Sequence, residues 1–86
     1  MRREYTIVDE AGLHARPASL LVKEATKFDN EIMIEFEDKT LTLKSIMAVM
    51  SLGVPKDSVI AIIVDGEDQD EVFNALEKVL IEQSLI

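Results

Sequence analysis

Apolar spacing along the chain switches between two periods, in the order strand, helix, strand, strand, helix, strand, helix. That order predicts an α+β fold, a two-layer sandwich in which three helices cover one face of a four-stranded sheet. Three observations carry the prediction. Residues 32–36 and 41–43 alternate around a polar turn, as a hairpin does. Ser58 to Val64 is β-rich and almost wholly apolar, which places it inside the sheet. Two longer segments, after Pro17 and around Val72 to Gln83, space their apolar residues for one helical face each.

In chain order, Arg2 to Val8 reads as a strand with Tyr5 and Ile7 on one face. Asp9-Glu10-Ala11-Gly12 is a turn. Pro17 is expected to open the first helix, since a first-turn residue has no use for its N–H. Ala18, Leu21, Val22 and Ala25 form that helix's buried stripe, closed by Phe28. Ile32, Ile34 and Phe36 make a half-buried strand, Glu37-Asp38-Lys39 a tight turn, and Leu41 and Leu43 the return strand. Ser45 to Leu52 is a short helix ended by Gly53 and Pro55, with Val49 and Leu52 facing the core. After Ser58–Val64, Asp65-Gly66-Glu67-Asp68 turns the chain into the last helix. Its core stripe is expected at Val72, Ala75, Leu76, Val79 and Gln83, with Phe73 and Leu80 beside it, and acidic residues at its start suit the helix dipole. The uncovered sheet face should be solvated, with Thr6, Glu35 and Thr42 on it.

Eighty-six residues suit a single domain spanning 1–86. Area scaling gives about 5,100 Å² of exposed surface once folded, enough for one modest core. A hydrophobic content of 48% argues against disorder. With no cysteine there is no disulfide, thiolate metal site or cysteine nucleophile, and with one histidine no metal site is expected. No apolar run approaches a membrane span, and the charged start has no signal-like stretch behind it, so a cytoplasmic protein without membrane insertion is expected. The net charge is −8, which disfavours direct nucleic-acid binding. It is unevenly spread. Residues 1–27 sum to +1 (five basic, four acidic), residues 28–64 to −3 (three basic, six acidic) and residues 65–86 to −6 (one basic, seven acidic).

Two segments do not read as simple core-building. Arg16, Leu20, Lys23 and Lys27 line up along the polar face of the first helix. A lone exposed leucine is ordinary; one ringed by cations suits a docking anchor for an acidic partner. Ile46, Met47, Val49 and Met50 spread around most of a two-turn helix. Met47 and Met50 should then be partly exposed, as an adaptable apolar patch.

The chemistry centres on His14, which stands between Gly12 and Arg16-Pro17, just before a helix start. Free N–H groups among Ala15, Arg16, Ala18 and Ser19 favour a phosphate there. The positive dipole end favours a neutral imidazole, which is a nucleophile, and Arg16 can neutralise phosphoryl oxygens. Together these parts suit a phosphoryl group carried on nitrogen. Ser45 sits where a serine N-cap is expected, and a phosphate added there would also be held by the helix end, beside Met47 and Met50.

Gly12-Leu13-His14-Ala15-Arg16-Pro17-Ala18-Ser19 resembles the active-site signature of the HPr family, the histidine-containing phosphocarriers of the bacterial phosphoenolpyruvate:sugar phosphotransferase system. Lys44-Ser45-Ile46-Met47-Ala48-Val49-Met50-Ser51-Leu52-Gly53 resembles the family's regulatory-serine segment in its Gram-positive form. The resemblance spans the whole chain. It implies an open-faced β-sandwich with an antiparallel sheet. It implies that His14 takes a phosphoryl group on Nδ1 from phosphorylated enzyme I and passes it to IIA domains of sugar permeases, with Arg16 assisting and Pro17 setting the helix start. It implies that an ATP-dependent HPr kinase/phosphorylase modifies Ser45, and that the phosphoserine form binds a catabolite-control repressor. Leu20, Lys23, Lys27, Ile46, Met47 and Met50 match the family's docking face. A stoichiometric carrier of this kind needs no cofactor, and a monomer is the default. Two residues depart from the pattern. Asp38 stands in the hairpin turn where many relatives carry glycine, and Ala48 replaces a glycine common in Gram-positive relatives.

A nitrogen-branch phosphocarrier is disfavoured by Lys44-Ser45-Ile46-Met47, which points to the carbon branch, and two further rivals stand beside it. One is a regulatory HPr paralogue that mainly binds the repressor, although its known type lacks the active-site histidine that His14 supplies here. The other is an acyl carrier protein, for which Asp57-Ser58-Val59 offers an aspartate–serine pair. Ser58 opens a strand-like run, however, where an acyl-carrier serine opens a helix. A turnover enzyme finds no second catalytic base or metal cluster in the sequence.

Overall fold

The computed structural model describes all 86 residues. Its elements are β1 (Arg2–Thr6), α1 (Ala15–Ala25), β2 (Ile32–Phe36), β3 (Lys39–Thr42), α2 (Ile46–Ser51), β4 (Val59–Val64) and α3 (Gln69–Glu82). The strands form one antiparallel sheet in the order β1-β4-β2-β3. The apolar run of β4 lies inside it, paired with β1 (Tyr5 opposite Ile60) and with β2 (Ile34 opposite Ile62). One face of this sheet, through Tyr5, Ile60, Ile62, Val64, Ile32 and Ile34, meets the helices and is buried. The α+β sandwich in βαββαβα order is thus present, with 4816 Å² of accessible surface.

The helices close over that face with α1 packed against both α2 and α3. The α1 stripe is Ala18, Leu21, Val22 and Ala25, joined by Pro17. In α3 the stripe is rotated from expectation. Val72, Phe73, Leu76 and Leu80 are buried, while Ala75, Val79 and Gln83 are only partly covered. Phe73 is the largest fully buried side chain in the molecule, so the helix turns to put that ring inward.

The outer sheet face carries exposed Thr6 and Thr42 and half-buried Glu35. Ala61 lies on it yet is only 2% exposed. In register it sits between Glu4 and Glu35, and Arg2 bonds both carboxylates (3.0 and 2.9 Å), so three charged side chains roof a small one. No helix is long and apolar enough to cross a membrane.

Two local expectations need correction. Regular pairing in β1 stops at Thr6, short of Val8; Ile7 stays buried and donates its N–H to the Ser58 carbonyl at 2.8 Å. The first helix begins at Ala15, two residues before Pro17. Proline fits its third position as well as its first, because no first-turn N–H has an intrahelical acceptor. In the β2–β3 hairpin Glu37 is left-handed (φ 56°) and Asp38 is not, so the turn needs no glycine at position 38.

Candidate functional site

The loop before α1 is fixed by backbone geometry. The Gly12 N–H donates to the Asp9 carbonyl (2.9 Å), and the Leu13 N–H donates to the Val54 carbonyl (3.0 Å), with the Leu13 side chain buried. Gly12 has φ 66°, and a Cβ there would lie 2.2 Å from the Val54 oxygen. Only glycine fits both the conformation and the approach. The chain then delivers His14 to the N-cap position of α1, in extended backbone (φ −90°, ψ 179°).

His14 caps with its backbone alone: its carbonyl accepts from the Ala18 N–H (3.0 Å), and its side chain makes no cap bond. The ring is therefore free for other work, and its side chain is 43% exposed. Of the four N–H groups expected to be free, Ala15 and Arg16 have no hydrogen-bond partner. The Ala18 N–H is taken by His14, and Ser19 lies past the first turn. Pro17 has no N–H and is buried, so it anchors the helix start. The guanidinium of Arg16 makes no ion pair and stands exposed. The result is a ring nitrogen, two unpaired backbone donors and a free cation at one helix end. That set can hold and neutralise a phosphoryl group.

Asp9 belongs to this site, and sequence reasoning used it only as a turn residue. Its Oδ2 lies 3.4 Å from His14 Nε2, and its Oδ1 accepts from the Ala11 N–H at 2.8 Å. Asp9 is held below the usual carboxylate range, chiefly by the Ala11 bond, with His14 adding to it. The available signal was an acidic residue five positions before the only histidine, with a glycine between to fold the chain back.

Elsewhere on α1, Leu20 does not stand clear of the fold as expected. It is half-buried and lines a shallow groove of about 230 Å³ with Lys23, Lys27, Val79 and Glu82. Lys27 pairs with Glu24 (3.2 Å), whereas Lys23 is exposed and has no ionic partner. On α2 the Ser45 hydroxyl accepts from the Ala48 N–H (3.2 Å), so it is the N-cap. Val49 and Leu52 are buried, and Ile46 (45%), Met47 (85%) and Met50 (39%) are exposed. α1 and α2 pack side by side, so the cations of one and the apolar surface of the other belong to neighbouring helices. A larger depression of about 510 Å³, lined by Asp29, Asn30, Glu67, Asp68 and Glu71, includes neither His14 nor Ser45. Ser58 precedes a strand in a mixed fold, which does not suit the all-helical acyl-carrier reading.

Comparison with known proteins agrees with this geometry. Residues 1–82 match the family described as PTS HPr component phosphorylation site. The chain is similar to a histidine-containing phosphocarrier protein of Mycoplasma, at 42% identity and a TM-score of 0.96, covering 100% of this chain and 98% of that one. It is similar to the phosphocarrier protein HPr of Bacillus anthracis, at 39% identity and a TM-score of 0.83, covering 92% and 94%. It is also similar to Crh, a catabolite repression protein of Bacillus subtilis that forms a dimer by swapping, at 35% identity and a TM-score of 0.73, covering 93% and 92%. The chain belongs to the HPr family of phosphotransferase-system phosphocarriers.

Proposed function

We propose that His14 accepts a phosphoryl group on Nδ1 from phosphorylated enzyme I and passes it to the IIA domains of sugar permeases. The observation that carries this reading is the half-exposed His14 ring at the N-cap of α1, next to the unpaired N–H groups of Ala15 and Arg16. The Nδ1 lone pair attacks phosphorus, and the bond to the donor nitrogen breaks with its electron pair leaving on the donor. The two amides and Arg16 stabilise the charge on the transferring oxygens. The chain is a stoichiometric carrier, without turnover chemistry of its own. It acts as one domain, a cytoplasmic monomer, and docks through Leu20, Lys23, Lys27, Ile46, Met47 and Met50. Ser45 is the substrate of HPr kinase/phosphorylase, and its phosphorylated form binds a catabolite-control repressor.

The test is incubation with phosphoenolpyruvate and enzyme I, followed by location of the modified residue. An acid-labile, base-stable phosphate is expected on His14. His14→Ala should abolish it at a stability cost under about 1 kcal/mol, because the side chain caps nothing. Acid-labile phosphate on the alanine variant would place the acceptor elsewhere. The similarity to Crh supports a second reading, a regulatory paralogue. Under that reading the wild-type chain gains no phosphate from enzyme I yet is still modified at Ser45.

A further inference from the structure

The loop that carries His14 places a carboxylate on the ring nitrogen that the proposed transfer does not use. Asp9 Oδ2 faces His14 Nε2 at 3.4 Å. The other oxygen, Oδ1, is fixed by the Ala11 N–H at 2.8 Å, so the carboxylate cannot rotate away without losing a bond. The Asp9 carbonyl is tied to Gly12 in the same turn, and Gly12 is held against Val54 and Pro55. Asp9 is thus set in a rigid frame and presents one free oxygen to one imidazole nitrogen. Its side chain is 23% exposed, less than the ring it faces.

We propose that Asp9 is a positioning residue for phosphoryl acceptance: it holds the proton on His14 Nε2 and thereby presents Nδ1 as the unprotonated acceptor. The inference rests on the reading of His14 as acceptor. An ionised carboxylate only accepts hydrogen bonds, so the nitrogen facing it must carry the proton. In a neutral imidazole the other nitrogen then carries the lone pair. In the transfer, that pair forms the Nδ1–P bond while the donor's bond to phosphorus breaks and its electrons leave with the donor. Nε2 keeps its proton throughout. The ring becomes cationic as the bond forms, and the contact with Asp9 becomes an ion pair and shortens from its present length. A carboxylate that orients an imidazole tautomer for its partner nitrogen is a recurring arrangement in nucleophilic sites.

Two substitutions separate this role from simple pinning of the loop. Asp9→Asn keeps an oxygen for the Ala11 N–H but turns an amide donor toward Nε2, which favours the proton on Nδ1. Asp9→Ala loses both interactions. Ring ¹⁵N chemical shifts of His14, measured where the imidazole is neutral, read the tautomer without any phosphorylation. In Asp9→Asn the ratio should move toward Nδ1–H by about fivefold or more, and the initial rate of labelling by enzyme I and phosphoenolpyruvate should fall at least about tenfold. Asp9→Ala should sit between Asn and wild type in both readouts. Asn behaving as wild type while Ala is slow would mean that Asp9 only braces the turn, and the proposal fails. Unchanged tautomer ratios in both variants would also overturn it. If wild-type protein takes no phosphate at all, the acceptor reading falls, while the ¹⁵N measurement still decides whether Asp9 sets the tautomer.

Discussion

Tyr5 is a core residue with a polar end. Its ring faces the helices from β1, and its hydroxyl donates to Glu77 Oε1 on α3 at 2.8 Å. Arg3 bonds the same carboxylate oxygen (3.2 Å) and lies 4.6 Å from the centre of the Phe73 ring. Strand and helix are therefore latched by one shared acceptor. Burial, and then the bond to Glu77, push the Tyr5 hydroxyl above its ordinary value of 10.0. The sign of the stability effect follows from proton counts. The unfolded chain releases this proton near pH 10, while the folded chain keeps it. The contribution is complete below that pH and is lost as pH rises toward the folded-state value. Tyr5→Phe keeps the ring and removes the hydroxyl. It should cost about 1 kcal/mol in urea unfolding at neutral pH. Between neutral pH and about pH 10.5 its stability should fall less than that of wild type. Parallel losses in the two proteins would show that the hydroxyl is not a source of alkaline sensitivity.

At the scale of elements, α2 depends on its cap. Six residues are too few for a helix to persist on propensity alone, and Ser45 satisfies one of its orphan amides. Ser45→Ala should lose about 1 kcal/mol. Ser45→Asp keeps an acceptor for the Ala48 N–H and places negative charge at the favourable helix end, so its stability should stay near wild type. The same charge sits beside exposed Met47 and Met50 and should slow phosphoryl transfer from enzyme I. An unchanged rate would remove α2 from the docking face. This helix was legible in the sequence because its signals are local: serine before the apolar run, glycine and proline after it. The start of α1 was misplaced because proline is accepted throughout a first turn, so Pro17 marks the turn and not its first residue. The α3 stripe was misjudged by rotation, since spacing alone does not say which of several apolar lines takes the largest side chain inward. Asp9 was missed for a tertiary reason. Its approach to His14 exists only because Gly12 folds left-handed against Val54 and the Leu13 amide is tied to the same carbonyl.

Across the whole molecule, charge is segregated in sequence: residues 65–86, which include all of α3, sum to −6 and residues 1–27 to +1. The cations of α1 stand out from an acidic background, but they are not equivalent. Lys27 already faces Glu24, so much of its field is spent inside the helix, and Glu82 lines the same groove. Lys23 is exposed and unpaired, so its charge acts outward. Long-range attraction of an acidic partner should therefore run through Lys23 more than Lys27. Lys23→Glu should lower kcat/KM for transfer from enzyme I by about tenfold at low salt, mainly through KM, because a rim charge steers encounter and does not touch the reacting atoms. At about 1 M salt, where the screening length is about 3 Å, the difference from wild type should nearly vanish. Lys27→Met, which removes a charge already paired, should change the rate less than the uncharged control Lys23→Met at low salt. A larger effect at Lys27, or a Lys23 effect that survives high salt, would mean that contact chemistry in the α1–α3 groove governs docking in place of the outward field.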